Sequence, residues 1–258
     1  MAVLEVDDIS IRFGGLQALG NVSVKAQELE IVGLIGPNGA GKTTLFNCVT
    51  GFYRPNEGRV RFLGQDVTEV AIHERAAMGM GRTFQQVGLV KGATVLENVI
   101  TAQHTKIDYG ATAGMLGVPA TWASEREFHR RGMEILDLVG LAHLAEHRVA
   151  GLPYGTMKNV EMAAVLATDP EILMLDEPTS GMGPEESHAF GDVLLRLRKE
   201  LGLTVLMIEH HVPLVVAVCD YVYCLNFGQL LAEGKPEAVR SHPEVIVAYL
   251  GEEAEEVA

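Results

Sequence analysis

Nine consecutive residues, Gly36-Pro37-Asn38-Gly39-Ala40-Gly41-Lys42-Thr43-Thr44, constrain this chain more than any other stretch. They fit the phosphate-loop pattern G-x-x-x-x-G-K-[ST], which carries meaning only between a strand and a helix. The flanks comply. Glu30-Ile31-Val32-Gly33-Leu34-Ile35 is an apolar run of strand type, and Leu45-Phe46-Asn47-Cys48-Val49 continues a helix that opens near Gly41. Gly36, Gly39 and Gly41 let the backbone turn tightly and aim successive N–H groups inward. The helix N-terminus adds partial positive charge and unsatisfied donors. Lys42 can reach the β- and γ-phosphates of a bound nucleotide, and the Thr43 hydroxyl can ligate Mg²⁺. Pro37, Asn38, Ala40 and Thr44 complete the candidate cradle.

The chain has 258 residues, enough for one large domain or two small ones, and its 48% hydrophobic content is ample for a core. Its net charge is −14, from 20 basic and 34 acidic residues. That balance argues against nucleic acid as a partner, since such binding draws mainly on Lys and Arg. It also argues against adhesion to anionic lipid. No apolar run reaches the roughly 18–20 residues needed to span a bilayer. The best candidate, 212–225, is broken by Asp220. The start, Met1-Ala2-Val3-Leu4-Glu5, is acidic where a secretory signal would be basic. A cytoplasmic protein with no direct membrane span is expected. Cys48, Cys219 and Cys224 are read as reduced, buried thiols, with Cys219 and Cys224 on opposite faces of one strand-like run.

Residues 3–24 alternate apolar and polar around Gly14-Gly15 and predict an antiparallel hairpin. Phe13, at a strand end before the phosphate loop, is either a core residue or a surface for stacking an adenine ring. A turn is expected at Asn56-Glu57-Gly58, before a strand at Val60-Arg61-Phe62. Gly79-Met80-Gly81 leads into Arg82-Thr83-Phe84-Gln85-Gln86. From Thr94 to about Arg148 the pattern is helical, opened by Thr94 as an N-cap with Glu97 three on. Within it, 109–122 is rich in Gly and Ala and reads as a loop or loose helix. A turn at 151–155 precedes a helix over 157–168, ended by Asp169-Pro170. Residues 172–175 form a buried strand running into Asp176-Glu177, and Pro184 opens a helix with Glu185 and Glu186 in its first turn. A strand over 204–208 ends at Glu209-His210-His211. A hairpin crosses Asn226-Phe227-Gly228, 236–250 is helical, and the tail from Gly251, with four Glu, reads as a frayed end. Strands alternating with helices imply a mainly parallel sheet. The expected fold is therefore an α/β P-loop NTPase core with a mainly parallel sheet, an added antiparallel β subdomain and an inserted α-helical subdomain at approximately 87–168. The whole, 1–258, is taken as a single domain.

Asp176-Glu177 is the second constellation. Four apolar residues followed by Asp form a Walker B strand, whose Asp holds Mg²⁺ through water. Glu177 sits at the strand tip beside the γ-phosphate, where it is the natural general base for a water.

With these motifs in this order, the chain resembles the ATP-binding cassette ATPases that power membrane transporters. Gln85 matches the glutamine loop, a catalytic and metal-binding position in the family. Leu152-Pro153-Tyr154-Gly155-Thr156 sits where the signature L-S-G-G-Q belongs. Gly181-Met182-Gly183 follows at the D-loop, His210 matches the switch histidine, and Phe13 matches the adenine-stacking aromatic. The Pro-Tyr-Gly signature is similar to that of the branched-chain amino-acid importer subfamily. So are Gly15-Leu16-Gln17-Ala18-Leu19, Thr94-Val95-Leu96-Glu97-Asn98-Val99 and the ending from Glu233-Gly234-Lys235-Pro236 to Glu252. The resemblance spans Val3 to roughly Glu252. It implies the ABC ATPase fold, with ATP and Mg²⁺ as ligands. It further implies a head-to-tail dimer with a second ABC ATPase subunit, identical or related. ATP would lie between residues 36–44 of one subunit and Pro153, Tyr154 and Gly155 of the other. Transmembrane permease subunits would dock near Gln85 and the helical segment, placing the protein on the inner face of the cell membrane.

Three departures stand out. Pro153 replaces the signature serine, Thr156 the usual glutamine, and Gly183 an Asp or Asn. They leave open a regulatory ATPase that barely hydrolyses, or a soluble cassette outside any transporter. Cassettes of translation or DNA repair, however, carry two cassettes or a long coiled coil, and this chain has one cassette and no sustained heptads. A GTPase lacks support because N-K-x-D is absent. His143-Leu144-Ala145-Glu146-His147 matches the zinc pattern H-x-x-E-H, with no obvious third ligand, and reads as a surface histidine pair.

Overall fold

Alternation along the first two strands lets each bury one face. β1 (Ala2–Phe13) and β2 (Leu16–Gln27) form the expected antiparallel hairpin. The computed structural model describes residues 1–83, 88–106 and 119–256. β3 (Ile31–Ile35) is buried at every position and delivers the chain to the phosphate loop and helix α1 (Lys42–Thr50). β4 (Glu57–Phe62) and β5 (Gln65–Asp66) complete an antiparallel sheet of order β2-β1-β4-β5. The turn expected at 56–58 is displaced, because Glu57 and Gly58 already lie in β4. Gly58 has φ +89°, and a Cβ there would sit 2.5 Å from the carbonyl oxygens of Asp7 and Asp8. The irregular pairing of β1 brings backbone so close that only glycine fits.

Helix α2 (Ile72–Ala77) and strand β6 (Met80–Arg82) follow, too short to stand out by periodicity. α2 carries Arg75, 2% exposed, whose guanidinium donates to the carbonyls of Cys48, Val49, Thr68 and Val70. Two of these are terminal carbonyls of α1, where a cation complements the helix dipole. α3 (Val95–Ala102) opens with the expected capping box: Thr94 Oγ1 accepts from Glu97 N–H, and Glu97 Oε2 accepts from Thr94 N–H at 2.7 Å. Further free N–H groups of its first turn find the carbonyls of Ala145 and His147. α4 (Pro119–Leu138) begins inside the stretch 109–122 that reads as a loop or loose helix. Of the loop placed at 109–122, the part up to 118 lies outside the described residues. The segment 143–147 is a short 3-10 turn (Ala142–Leu144) followed by irregular chain. The helical spacing assumed for His143 and His147 is therefore not present.

α5 (Tyr154–Leu166) begins earlier than expected, with Pro153 at its N-cap, because Pro153 sets the entry and Tyr154-Gly155 already turn helically. β7 (Ile172–Asp176), α6 (Pro184–Leu201) and β8 (Thr204–Ile208) fall where expected. α7 (Val212–Val218) ends at Cys219, so Cys219 leaves a helix rather than sharing a strand with Cys224. The two do not alternate across one strand as expected; both are free thiols, as is Cys48. β9 (Tyr221–Asn226) and β10 (Gln229–Gly234) form the expected hairpin. The helix placed at 236–250 is two, α8 (Pro236–Arg240) and α9 (Pro243–Glu256), because Pro243 cannot continue one and opens another. α9 runs through 251–256, correcting the frayed tail; Glu and Ala are good helix formers.

The main sheet has the order β10-β9-β3-β8-β7-β6, parallel except for β10 on β9. β3, β7 and β8 are apolar runs, as befits strands covered on both faces. One core packs helices and one face of this sheet; the other packs α1 between the sheet and the antiparallel strands. β3, β8 and β7 are neighbours with the same direction. Their carboxyl ends therefore release the phosphate loop, Glu209-His210 and Asp176-Glu177 side by side, where ligands bind in open parallel sheets.

Candidate active site

Each glycine of the phosphate loop has its own reason. Gly36 has φ +142°, and a Cβ there would lie 2.1 Å from the Leu225 carbonyl oxygen. At Gly41 (φ +101°) it would meet Leu19 Cδ2 at 2.8 Å and the Ala18 carbonyl oxygen at 2.9 Å. Gly39 has open space but a left-handed φ of +74°. The hairpin tip braces the loop: Gly228 N–H donates to Ala40 O at 3.0 Å, and Gly20 N–H to Gly228 O at 2.8 Å. Lys42 is buried and its ammonium donates to Gly36 O at 2.5 Å and Pro37 O at 2.8 Å. Gly36 N–H donates to the Tyr249 hydroxyl at 2.8 Å. α1 has no side-chain cap and no acid in its first turn, so its positive end faces the loop.

Around the loop opens a cleft of about 560 Å³, lined by residues 38–44 together with Phe13, Ala18, Glu177 and Phe227. Phe13 is 44% exposed and meets Tyr53 edge-on at 5.1 Å. It is no core residue, and its free surface lines the cleft. Asn38, Gly39 and Thr43 are also exposed there.

Asp176 is the last residue of β7 and is buried. Its Oδ2 accepts from Arg82 at 3.0 Å, and the same guanidinium donates to Asn47 Oδ1 and Thr50 Oγ1 of α1. Burial pushes the Asp176 carboxyl up, against the pull of Arg82. Its Oδ1 is buried without a hydrogen-bond partner among the described residues. An unpartnered buried carboxylate oxygen is a position suited to a cation, so the donor set fits Mg²⁺. Glu177 has φ +49°, rare for a side-chain-bearing residue and worth about 1–3 kcal/mol of strain. Its N–H donates to Ile208 O at 3.0 Å, and its Oε1 lies 2.7 Å from His210 Nε2. The strand ends thus bring Glu177 and His210 together beside the phosphate loop.

Pro153, Tyr154 and Gly155 are not brought to that cleft. Their turn packs on Gly181 and Met182 of the same chain: a Cβ at Gly155 would lie 3.2 Å from Met182 Cγ, and one at Gly181 would lie 3.3 Å from the Tyr154 ring. Gln85 lies outside the described residues. Among the described residues, no group of three or more His, Cys, Asp and Glu is placed to hold a metal, which leaves the H-x-x-E-H match without support.

Residues 19–180 match the family described as ABC transporter, and 229–255 match the branched-chain amino acid ATP-binding cassette transporter family. The chain belongs to the ABC transporter family. It is 43% identical to the high-affinity branched-chain amino acid transport ATP-binding protein BraF of Pseudomonas aeruginosa, over 97% of this chain and 98% of that one. It is 42% identical to LivG of Escherichia coli over the same shares. The crystal structure of the ADP conformation of an ABC transporter cassette superposes with a TM-score of 0.85 at 33% identity, covering 97% of this chain and 99% of that one. A dimeric bacterial ABC transporter cassette superposes with a TM-score of 0.75 at 26% identity, over 90% and 98%. The expected ABC ATPase fold is confirmed. The protein is an ATP-binding, ATP-hydrolysing subunit of an ABC transporter, and the expectation of a cassette outside any transporter is set aside.

Sequence reasoning passed over Arg82, Glu209 and Tyr249. Nothing in a lone Arg, Glu or Tyr marks it before the fold brings distant elements together. The one available signal was position: Arg82 and Glu209 each stand within three residues of a motif residue.

Proposed function

We propose that this protein drives the import of branched-chain amino acids, as one of two cassettes that close on ATP and Mg²⁺. The chemistry rests on one observation: Glu177 and His210, 2.7 Å apart, stand at strand ends adjoining the phosphate loop. The substrate class rests on the names of the near-full-length relatives.

Backbone N–H groups of residues 36–44, Lys42 and the α1 terminus would hold the triphosphate, with Phe13 against the base. Thr43, Asp176 and Gln85 would hold Mg²⁺, which when bound offsets charge on the phosphate oxygens. Glu177 would take a proton from the attacking water, and His210 would orient Glu177 and the γ-phosphate. The signature turn is remote from its own chain's cleft, so Gly155 would serve the second subunit's nucleotide, its N–H acting at the start of α5.

The helical segment at approximately 87–168 would move as the sandwich closes, with Gln85 as the link. A groove of about 600 Å³ between α2, β6, α3 and α5, lined by His73, Asn98, Glu161 and Thr168, would receive the permease. Among the described residues no helix is long and apolar enough to cross a membrane, which supports a peripheral place beneath permease subunits.

The test is uptake of radiolabelled leucine, isoleucine and valine by cells that lack this chain. Uptake should fall and return with the parent chain, not with Lys42→Ala. Unchanged uptake of all three would contradict the substrate class.

A further inference from the structure

The loops that carry Glu177 and His210 are tied together by Glu209, the residue before His210, which bonds Thr179 of the other loop. Glu209 follows the end of β8 and is 2% exposed. Its Oε1 accepts from the Thr179 backbone N–H at 3.0 Å and the Thr179 hydroxyl at 2.6 Å. Its Oε2 accepts from the backbone N–H groups of His210 at 3.0 Å and His211 at 3.2 Å. Among the described residues no cationic side chain pairs with it. A carboxylate buried without a counter-ion is costly, and charge-assisted bonds to both oxygens are what make it tolerable. Donors approach both ends, so a glutamine cannot replace it: its amide nitrogen would face an N–H.

These bonds close a ring. From Glu177 the chain runs through Pro178 to Thr179. Thr179 is bonded to Glu209, Glu209 precedes His210, and His210 Nε2 returns to Glu177 Oε1. The strands themselves do not need it. β7 and β8 are already paired up to Asp176 and Ile208, and Glu177 N–H adds a bond to Ile208 O. The extra tie falls just beyond the strand ends, where the chemistry sits. We infer that Glu209 is a positioning residue for hydrolysis, locking the Glu177 and His210 loops into one unit. Their mutual geometry is then kept while nucleotide and the second subunit arrive. Glu209 reaches no reacting atom itself. The inference rests on the assignment of Glu177 as the base.

The test is Glu209→Gln in the full-length subunit, with ATP affinity, KM, kcat and melting temperature measured together. ATP affinity should stay within about twofold, since the phosphate loop is untouched. The kcat should fall about tenfold or more, the scale of a small misplacement of reacting groups. Thr179→Val removes one bond of the ring and should lower kcat less; Thr179→Ser, which restores the hydroxyl, should turn over faster than Thr179→Val. The double variant Thr179→Val/Glu209→Gln should lose no more than Glu209→Gln alone. Parent kcat in folded Glu209→Gln, a loss confined to KM or affinity, or fully additive losses would overturn the inference. Should Glu209→Gln not fold, parent kcat in Thr179→Val would overturn it. Glu177→Gln run in parallel separates the two failures. If it too is fully active, the base assignment falls and takes the inference with it. If it is inactive while Glu209→Gln is unaffected, the inference alone falls.

Discussion

His210 Nε2 lies 2.7 Å from Glu177 Oε1, while the Glu177 backbone is held left-handed at φ +49°. The imidazole and the strained backbone together aim the carboxylate. His210→Ala should therefore leave ATP affinity near that of the parent and lower turnover by about 10²-fold, the scale of a misplaced reacting group. Side-by-side binding and steady-state ATPase assays check it. A parent-like rate would remove His210 from the mechanism.

Lys42 braces its own loop through bonds to Gly36 O and Pro37 O, and in the proposed site its ammonium would also meet the transferring phosphate. Lys42→Ala should weaken nucleotide binding and nearly abolish hydrolysis, because the cation on the transferring phosphate is gone. It should also cost about 1.5–3 kcal/mol of stability for the charge-assisted bonds lost. Nucleotide titration and denaturant melts read the two effects separately. Normal hydrolysis by a folded variant would place the site elsewhere.

Gly155→Asp tests the composite site. The carboxylate would enter beside Met182 and Glu186, whose Oε1 would lie 3.8 Å from the new Cβ, and would face the partner's polyphosphate. One unit-charge repulsion at about 4 Å and an effective dielectric near 20 is roughly 4 kcal/mol. Single-subunit ATP binding should persist, and turnover should collapse. Pro153→Ser, on an exposed residue, should change turnover little or raise it modestly by restoring a hydroxyl. Gly155→Asp at the parent rate would contradict a site shared between subunits.

Burial pushes the thiols of Cys48 and Cys224 up to about 11 and raises Cys219 further. At pH 8 the thiolate of Cys48 or Cys224 is then about one part in a thousand. Iodoacetamide should leave the folded protein unmodified on a scale of minutes and label all three cysteines after denaturation. Intact-mass spectra decide this, and rapid labelling of the native protein would show the thiols to be accessible.

What was legible in the sequence followed from short-range rules. The phosphate loop, the apolar runs of β3, β7 and β8, and the Thr94 cap each announce themselves within ten residues. Contacts between distant segments were not legible. Gly58 looked like a turn residue because nothing local shows that the β1 backbone would stand 2.5 Å from a Cβ there. Arg75 and Arg82 carry no local mark of their roles, yet one bonds terminal carbonyls of α1 and the other joins Asp176 to α1. Helix breaks were visible only where proline marked them, and Pro243 was passed over. The placement of Phe13 at the cleft was decided by exposure, which spacing cannot supply.

Hydrolysis by Glu177 as general base is the central claim, and one substitution tests it most directly. Glu177→Gln keeps the shape of the side chain and its reach to His210, but the amide cannot take a proton from water. Turnover should fall by 10²-fold or more, about the scale of general-base removal, while ATP binding is retained. Because the nucleotide is then held unhydrolysed, ATP should trap a dimer, seen as a doubling of mass that depends on protein concentration. Turnover within about a factor of two of the parent would contradict the account.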